Sequence, residues 1–276
     1  MAHKSKIIYT ADKDIDGVEL MDAYYTQHHY TSHAHDEFAI GVMEEGIQDY
    51  TPEKSPSDYI YKGHIPVVNP GRVHAGKSVD DIGYKYRMFY IQPEILVNIA
   101  TDIQLNNVAT PHFDHFAIKD KQLGQQLLFL HHSLSAGEFD AIQKQNLFYE
   151  SFAYLLKNHS GKAPREIKLS ANSYAIRRTI DYLQTHYDQK IELSDLARIS
   201  GLSTYYLNRI FSKSVGMPPH RYLINLRLNK ARNLLKKNLP ISEVTYETGF
   251  ADQSHLTRNF KLFWGITPKQ YQRSIR

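Results

Sequence analysis

Two stretches in the last third of the chain carry the same pattern of residues, and a repeat of this kind allows few folds. The first runs Leu193-Ser194-Asp195-Leu196-Ala197 to Gly201-Leu202, then Leu207-x-Arg209-x-Phe211, Gly216 and Pro219. The second runs Ile241-Ser242-Glu243-Val244-Thr245 to Gly249-Phe250, then Leu256-x-Arg258-x-Phe260, Gly265 and Pro268. The offset is 48 residues before the turn glycine and 49 after it, so the second copy holds one extra residue near Ala251-Asp252. Each copy reads as a short helix, a glycine in the left-handed turn conformation that a side chain would penalise, and a second amphipathic helix. Two copies call for two similar folding units.

Within the first copy, Ser194 is expected to cap the short helix, with Leu196, Ala197 and Ile199 turned inward. Ala197 is small because two helices must approach closely there. Leu202 packs under the turn, and Ser203 caps a second helix that runs to about Val215 and buries Leu207, Ile210 and Phe211. In the second copy Asp252 caps a helix that buries Leu256, Phe260 and Phe263. Upstream, Asn172 or Ser173 can cap a helix with Ile176, Ile180, Leu183 and Tyr187 on one face. Between the copies, Pro219 starts an amphipathic run through Tyr222, Leu223, Leu226, Ala231 and Leu234 that ends near Asn238-Leu239-Pro240. About 18 helical residues at roughly 1.5 Å each span about 27 Å, enough to hold two recognition helices about one DNA turn, roughly 34 Å, apart.

The faces left over suit DNA. Thr204, Tyr205, Asn208 and Arg209 lie off the buried stripe of the first recognition helix, and Gln253, Ser254, His255, Arg258 and Asn259 off that of the second. Arg can grip guanine O6 and N7, and Gln or Asn can grip adenine N6 and N7, in the major groove. Lys213 and Lys261 suit phosphates, which position without specifying. An ion pair is the alternative for Arg209 and Arg258, since each adjoins buried positions. Charge agrees with a polyanion partner for this half only: residues 162–276 hold 20 Lys and Arg against 8 Asp and Glu, and residues 1–161 hold 13 against 21. The shared frame carries different readers in its two copies, so an asymmetric pair of half-sites in two successive major grooves is expected rather than a palindrome.

The first half is β-rich. Val18–Gln27, Phe38–Glu44, Ile47–Thr51, Asp58–Lys62, Ile65–Val68 and Tyr84–Ile91 read as strands, broken at Glu45-Gly46, Pro52, Pro56, Lys62-Gly63 and Asn69-Pro70-Gly71. Short strands with frequent turns favour a sandwich or small barrel. Helices follow over Pro93–Ile103, about Asp120–Leu134, and Glu138–Lys157. In the last, Phe139, Ile142, Asn146, Tyr149, Ala153 and Leu156 form one stripe, suited to packing on the chain's own barrel or on a second subunit. Residues 1–160 thus form one domain, 161–172 a linker and 173–276 a second domain. The chain has no cysteine, which excludes disulfides, thiolate zinc sites and cysteine nucleophiles. No apolar run approaches membrane-span length and Met1–Ile7 lacks a secretory apolar core, so a cytoplasmic location without membrane contact is expected.

Two signatures mark the β half further. His33-x-His35-x-Glu37 precedes a strand, and Gly63 is followed by Asn69-Pro70-Gly71-Arg72-Val73-His74. They resemble the two cupin motifs, with one more residue than usual between the first glycine and the proline of the second. In metal-dependent cupins the matching residues converge on one ion, and His33, His35, Glu37 and His74 are chemically adequate for that. The reading adopted is that they line a pocket for a small polar metabolite with no metal and no cofactor, alongside Arg72, Tyr24 and Tyr90. A third reading makes His33 and His35 simple loop residues.

The run Ile241-Ser242-Glu243-Val244 … Gly249-Phe250-Ala251-Asp252-Gln253-Ser254-His255-Leu256-Thr257-Arg258-Asn259-Phe260-Lys261 … Gly265-Ile266-Thr267-Pro268-Lys269-Gln270-Tyr271 resembles the AraC/XylS signature, over about residues 173–273. Thr245 departs from it, since alanine is common there; its hydroxyl can bond back to a helical carbonyl. The resemblance implies an α+β fold: a cupin-like β-barrel followed by helices, then an all-α domain with two helix-turn-helix motifs joined by a long helix. It implies base contacts from Tyr205, Asn208, Arg209, Gln253, Ser254, His255 and Arg258. It also implies a non-enzymatic regulator, an activator controlled by a small molecule, working as a homodimer with RNA polymerase. The alternatives are a metal-dependent cupin enzyme fused to a DNA-binding module, and a regulator whose β domain only dimerises. Alkyl-transfer DNA repair, found beside this module in some proteins, needs a cysteine and is excluded.

Overall fold

A computed structural model describes residues 5–26, 30–50, 58–80, 82–105, 110–136, 139–162 and 171–275. The chain divides into two compact units: residues up to 164 without Tyr30–His33, together with residues 274–276, and Tyr30–His33 with residues 165–273. The expectations placed on Gln27, Thr51, Pro52, Pro56, Glu138 and linker residues 163–170 lie outside the described residues.

The first unit runs β1 (Lys6–Ala11), β2 (Val18–Tyr25), β3 (Tyr30–His33, grouped with the second unit), β4 (Phe38–Glu45), β5 (Ile47–Asp49), β6 (Tyr59–Tyr61), β7 (Ile65–Val68), β8 (His74–Ser78), β9 (Tyr84–Ile91), α1 (Pro93–Asp102), β10 (Pro111–His112), β11 (Ala117–Ile118), α2 (Lys121–Ala136), α3 (Ala141–His159) and β12 (Gly161–Lys162). The strands of the first unit form a six-stranded sheet in the order β1-β2-β9-β4-β7-β11, a second sheet in which β5 lies between β8 and β6, and the short pair β10-β12. These ladders stay separate rather than closing into one barrel.

Both faces of the six-stranded sheet are buried, for different reasons. Strand register puts Leu20, Ile40 and Phe89 side by side on one face, where they join Phe38, Val42, Ile65 and Val67 against Leu123, Leu127, Leu130, Phe148, Phe152 and Leu155 of α2 and α3. One residue along each strand, the side chains reverse and face the second sheet. The stripe read on α3 is divided: Ile142 and Tyr149 are exposed, Leu156 is buried in the core with Ala153 packed against it, and the helix buries Phe148, Ser151, Phe152 and Leu155 as well. Lys144 ties α3 to the β1–β2 hairpin, its ammonium 2.9 Å from Asp12 and 2.8 Å from Asp14. Asp140 and Gln143 cap α3 reciprocally.

The second unit continues with α4 (Ala171–Thr185), α5 (Leu193–Ser200), α6 (Thr204–Val215), α7 (Pro219–Lys236), α8 (Ile241–Glu247), α9 (Gln253–Trp264) and α10 (Pro268–Ser274). Gly201, Gly216, Gly249 and Gly265 all take positive φ, between 68° and 85°. Ser203 caps α6 through the Tyr206 N–H and Asp252 caps α9 through the His255 N–H. Ser194 does not cap α5. That helix begins at Leu193, and Glu192 occupies the cap position with its N–H donated to Asp195. The single-residue offset of the repeat lies between Gly249 and Asp252, where the first copy has only Leu202 between Gly201 and Ser203.

Candidate nucleic-acid interface and effector site

Helices α6 and α9 bury Leu207, Ile210 and Phe211, and Leu256, Phe260 and Phe263, respectively. Those anchors fix which side chains look outward. Thr204, Tyr205, Asn208, Arg209 and Lys213 are exposed on α6, as are Gln253, Ser254, Arg258 and Lys261 on α9. His255 is half-buried, its ring edge-on to Phe250 at 5.3 Å, so its imidazole is held rather than free to swing. Tyr205 is 77% exposed, too much surface for a tyrosine serving a core. Among the described residues neither Arg209 nor Arg258 has a carboxylate within salt-bridge distance; Arg209 lies over the Tyr206 ring, 5.3 Å from its centroid. A cleft of about 610 Å³ lined by Asn172, Ser173, Ile176, Tyr206, Arg209 and Lys213 opens between α4 and α6.

The sensor residues fall differently. His35 and His74 come together, ring centroids 5.0 Å apart, and Tyr90 lies 5.5 Å from His35. The Nδ1 of His35 meets the Glu37 carbonyl at 2.7 Å and that of His74 the Arg72 carbonyl at 3.0 Å, which fixes both rings by their own local turns. His33 is buried on β3 with Nδ1 at 2.8 Å from the Thr31 carbonyl. Arg72 lies over the Phe116 ring at 3.5 Å and donates to the Phe113 and Asp114 carbonyls. Phe113 and Asp114 also line a cavity of about 260 Å³ with His115, Lys119 and His159. Tyr24 is not with the others. It pairs with Lys85 on the helix-facing side of the sheet and donates to the Ile82 carbonyl. No group of three His, Asp or Glu among the described residues is placed to hold a metal ion, so His33, His35, Glu37 and His74 do not converge as a ligand set.

Sequence reasoning named Tyr90 but missed the other residues that dominate this interior. Tyr84, Tyr86, Met88 and Tyr90 alternate along β9 toward the second sheet. Tyr25 lies 5.4 Å from Tyr84 and 5.8 Å from Tyr86, and Tyr9 lies 6.2 Å from Tyr90. From the opposite sheet, Gln48 reaches the Tyr84 hydroxyl and Tyr50 stacks on His74 at 5.3 Å. Burial pushes the phenols of Tyr25, Tyr50, Tyr84 and Tyr86 well above the usual tyrosine range, so all four are neutral hydroxyls at any ordinary pH. The signal was the Tyr-x-Tyr-x-Met-x-Tyr alternation itself.

Comparison with known proteins gives two family matches. Residues 17–152 match the model of the AraC-like ligand binding domain, and residues 196–274 match that of a helix-turn-helix domain. The uncharacterized HTH-type transcriptional regulator YbfI of Bacillus subtilis is 30% identical over 227 residues, covering 82% of this chain and 81% of its own. The chain belongs to the AraC family of transcriptional regulators. The activator RhaS of Escherichia fergusonii is 25% identical over 87% of both chains, and the probable regulator LumQ of Photobacterium leiognathi 23% identical over 94% of this chain and 96% of its own. A solved structure of apo ToxT K231A from Vibrio cholerae superposes with a TM-score of 0.57 at 12% identity, over 99% of this chain and 97% of that one, which shows a shared fold.

As an AraC-family regulator the chain has a ligand-binding N-terminal domain and a DNA-binding helix-turn-helix domain, and the relatives named here are regulators rather than enzymes. Thr245, a departure from the family signature, is buried and donates to the Ile241 carbonyl at 2.7 Å, the back-bond expected of it. No helix among the described residues is long and apolar enough to cross a membrane.

Proposed function

We propose that this AraC-family chain is a homodimeric, cytoplasmic activator that reads two unlike half-sites in successive major grooves, under control of a small polar effector held between its two sheets. The observation that carries the reading of DNA is one frame displaying two unlike residue sets: exposed Thr204, Tyr205, Asn208 and Arg209 on α6, and exposed Gln253, Ser254 and Arg258 with half-buried His255 on α9. Lys213 and Lys261, each in the last turns of its helix, suit phosphates. Activation, through RNA polymerase, is supported by the activator RhaS among the relatives. Dimerisation is supported by Phe129, Ile142 and Tyr149, large apolar side chains exposed on α2 and α3. Selection of bound duplexes from a random pool tests the reading of DNA. The expected product is an asymmetric site with two elements about one helical turn apart; a palindrome or no enrichment overturns it.

The effector site is assigned to the layer of Tyr9, Tyr25, Tyr50, Tyr84, Tyr86 and Tyr90 with His35 and His74, and Arg72 beside it. Neutral phenols and imidazoles donate and accept hydrogen bonds without demanding a counter-charge, which suits a hydroxylated or amino metabolite. One ToxT structure is of the unsaturated fatty acid-bound protein, a ligand this polar layer does not resemble a site for. A thermal-shift screen of the full chain with sugars, amino acids and amines tests the assignment. A hit abolished by Tyr90→Phe or His74→Ala supports it. No shift with any of them favours the second reading, a regulator without effector whose β unit serves dimerisation; the tight stacking of Tyr84 on Tyr86, 5.5 Å apart, is the observation on its side.

A further inference from the structure

We propose that Arg227 and Gly249 lock the two helix-turn-helix modules into one rigid reader, so that the chain discriminates the spacing of its half-sites as well as their sequence. This rests on the reading of DNA above. Helix α7 carries two buried arginines five residues apart, which point about 140° from one another around the helix. Arg227 turns to the first module. Its Nε donates to the Tyr187 carbonyl and a terminal nitrogen to the Gln189 carbonyl, both at 2.7 Å, so the guanidinium straddles Asp188 in the α4–α5 loop. Arg232 turns to the second module, donating to the Tyr271 hydroxyl at 3.1 Å and lying 4.2 Å from the centre of the Trp264 ring. A helix bonded in this way at both ends of its middle section is a strut rather than a tether.

A second connection bypasses α7. A Cβ at Gly249 would fall 2.4 Å from the Asp188 carbonyl oxygen and 2.7 Å from its carbon, so the turn of the second module rests directly on the loop that Arg227 holds. Gly201 provides the internal control. It has the same left-handed backbone, φ +71° against +68°, yet nothing lies within 4 Å of where its Cβ would be. Turn geometry explains why both are glycine; only the contact between modules explains the crowding at Gly249. Three successive residues, Tyr187, Asp188 and Gln189, therefore take up both the strut and the neighbouring turn.

A rigid reader cannot follow a displaced half-site. One inserted base pair moves a half-site by about 3.4 Å and rotates it by roughly 35°. The test uses the full chain and a duplex selected by it. Insertion of one base pair between the half-sites should cost the parent protein about tenfold or more in affinity. With Arg227→Ala the parent duplex should bind more weakly and the insertion should cost less than threefold, a flattening of about this scale. Equal spacing penalties in parent and variant overturn the proposal.

A second readout needs no DNA. The absence of cysteine allows paired spin labels at Ser214→Cys and Lys269→Cys, one in each module. Their distance distribution should be narrow in the parent and broadened by Arg227→Ala; an unchanged width overturns the lock. Should Arg227→Ala lose its cooperative melt, the pair Gly201→Ala and Gly249→Ala carries the test. Both bear the left-handed strain, and only Gly249→Ala should broaden the distribution. Failure of the parent to select any duplex would count against the DNA reading, and the label widths would still decide the lock.

Discussion

The two units place their chemistry on opposite sides of their frames. In the helical unit the anchors Leu207, Phe211, Leu256 and Phe260 are inside, and Tyr205, Gln253 and Arg258 stand in solvent. In the β unit the polar side chains of interest, Tyr84, Tyr86, Tyr90, His35 and His74, are themselves buried. A reader on an exposed helix face can be exchanged without disturbing what holds the helix. A polar side chain buried between two sheets is also part of the core. Recognition and stability should thus separate in the helical unit and move together in the β unit.

The largest expected effect tests the frame. Phe260→Ala removes a fully buried ring that packs on Trp264 at 6.4 Å and Tyr271 at 5.6 Å, and should cost about 3–5 kcal/mol. Trp264 is the sole tryptophan of the chain, so its fluorescence in a urea titration reports this unit. An early fluorescence transition with loss of DNA binding is expected; an unshifted transition would mean the α9 core is not what holds the unit. Next comes the reader. Arg258→Ala should cost roughly 1–3 kcal/mol on the selected duplex and relax preference at one position, with the Trp264 transition unmoved. Equal losses on selected and random DNA would make Arg258 a phosphate anchor, and a fall in stability would break the separation of face from frame.

Inside the β unit, pH provides the counterpart. His131 of α2 is buried against the six-stranded sheet, its Nδ1 3.4 Å from Arg87 and its ring 5.2 Å from Phe89. Burial, with the Arg87 charge beside it, pushes its pKa down to about 3. The unfolded imidazole, at about 6.5, takes up a proton that the folded one refuses. The stability this contributes is complete above pH 6.5 and is lost as pH falls from there toward 3. The slope is about 1.4 kcal/mol per pH unit. Chemical unfolding of the β unit at pH 7.5, 6.5 and 5.5, followed by tyrosine circular dichroism, should show this loss, and His131→Gln should flatten it. An equally steep variant would assign the acid sensitivity between pH 7.5 and 5.5 to a group other than His131.

How much of this could be read in the chain follows from the same contrast. In the second recognition helix an apolar residue every third or fourth position leaves the remaining faces to solvent, so Arg258 and Lys261 were legible as outward-facing, as were the caps Ser203 and Asp252. Strand β9 reads Tyr-Lys-Tyr-Arg-Met-Phe-Tyr-Ile, aromatic, apolar or long at every position, because both of its faces are covered. Alternation gives the parity of such a strand but not which parity faces the second sheet. Tyr24 was grouped with Tyr90 on that account, whereas register sets Tyr24 beside Lys85 and Tyr25 beside Tyr84. Strand β1, paired along its length with β2, carried no turn signal strong enough to mark it. Contacts such as Arg227 with Tyr187, 40 residues apart in sequence, belong to tertiary packing that no local pattern encodes.

The smallest expected effect is the most discriminating between a residue that reads and one that merely attracts. Lys261 is exposed in the last turn of α9, three residues after Arg258 and close to one helical turn further along. Its ammonium is a point charge without the planar fork that tells bases apart. Lys261→Ala should therefore weaken selected and random duplexes by the same factor and leave the sequence preference intact. Each phosphate contact releases condensed counterions, so the slope of log affinity against log salt should become shallower by about 0.9. Arg258→Ala should instead leave most of that slope in place while lowering the ratio of selected to random binding. Measured side by side across a salt series, the two variants place each side chain on the phosphates or on the bases. A Lys261 variant that changed the preferred sequence would move the reading face one turn toward the C-terminus of α9.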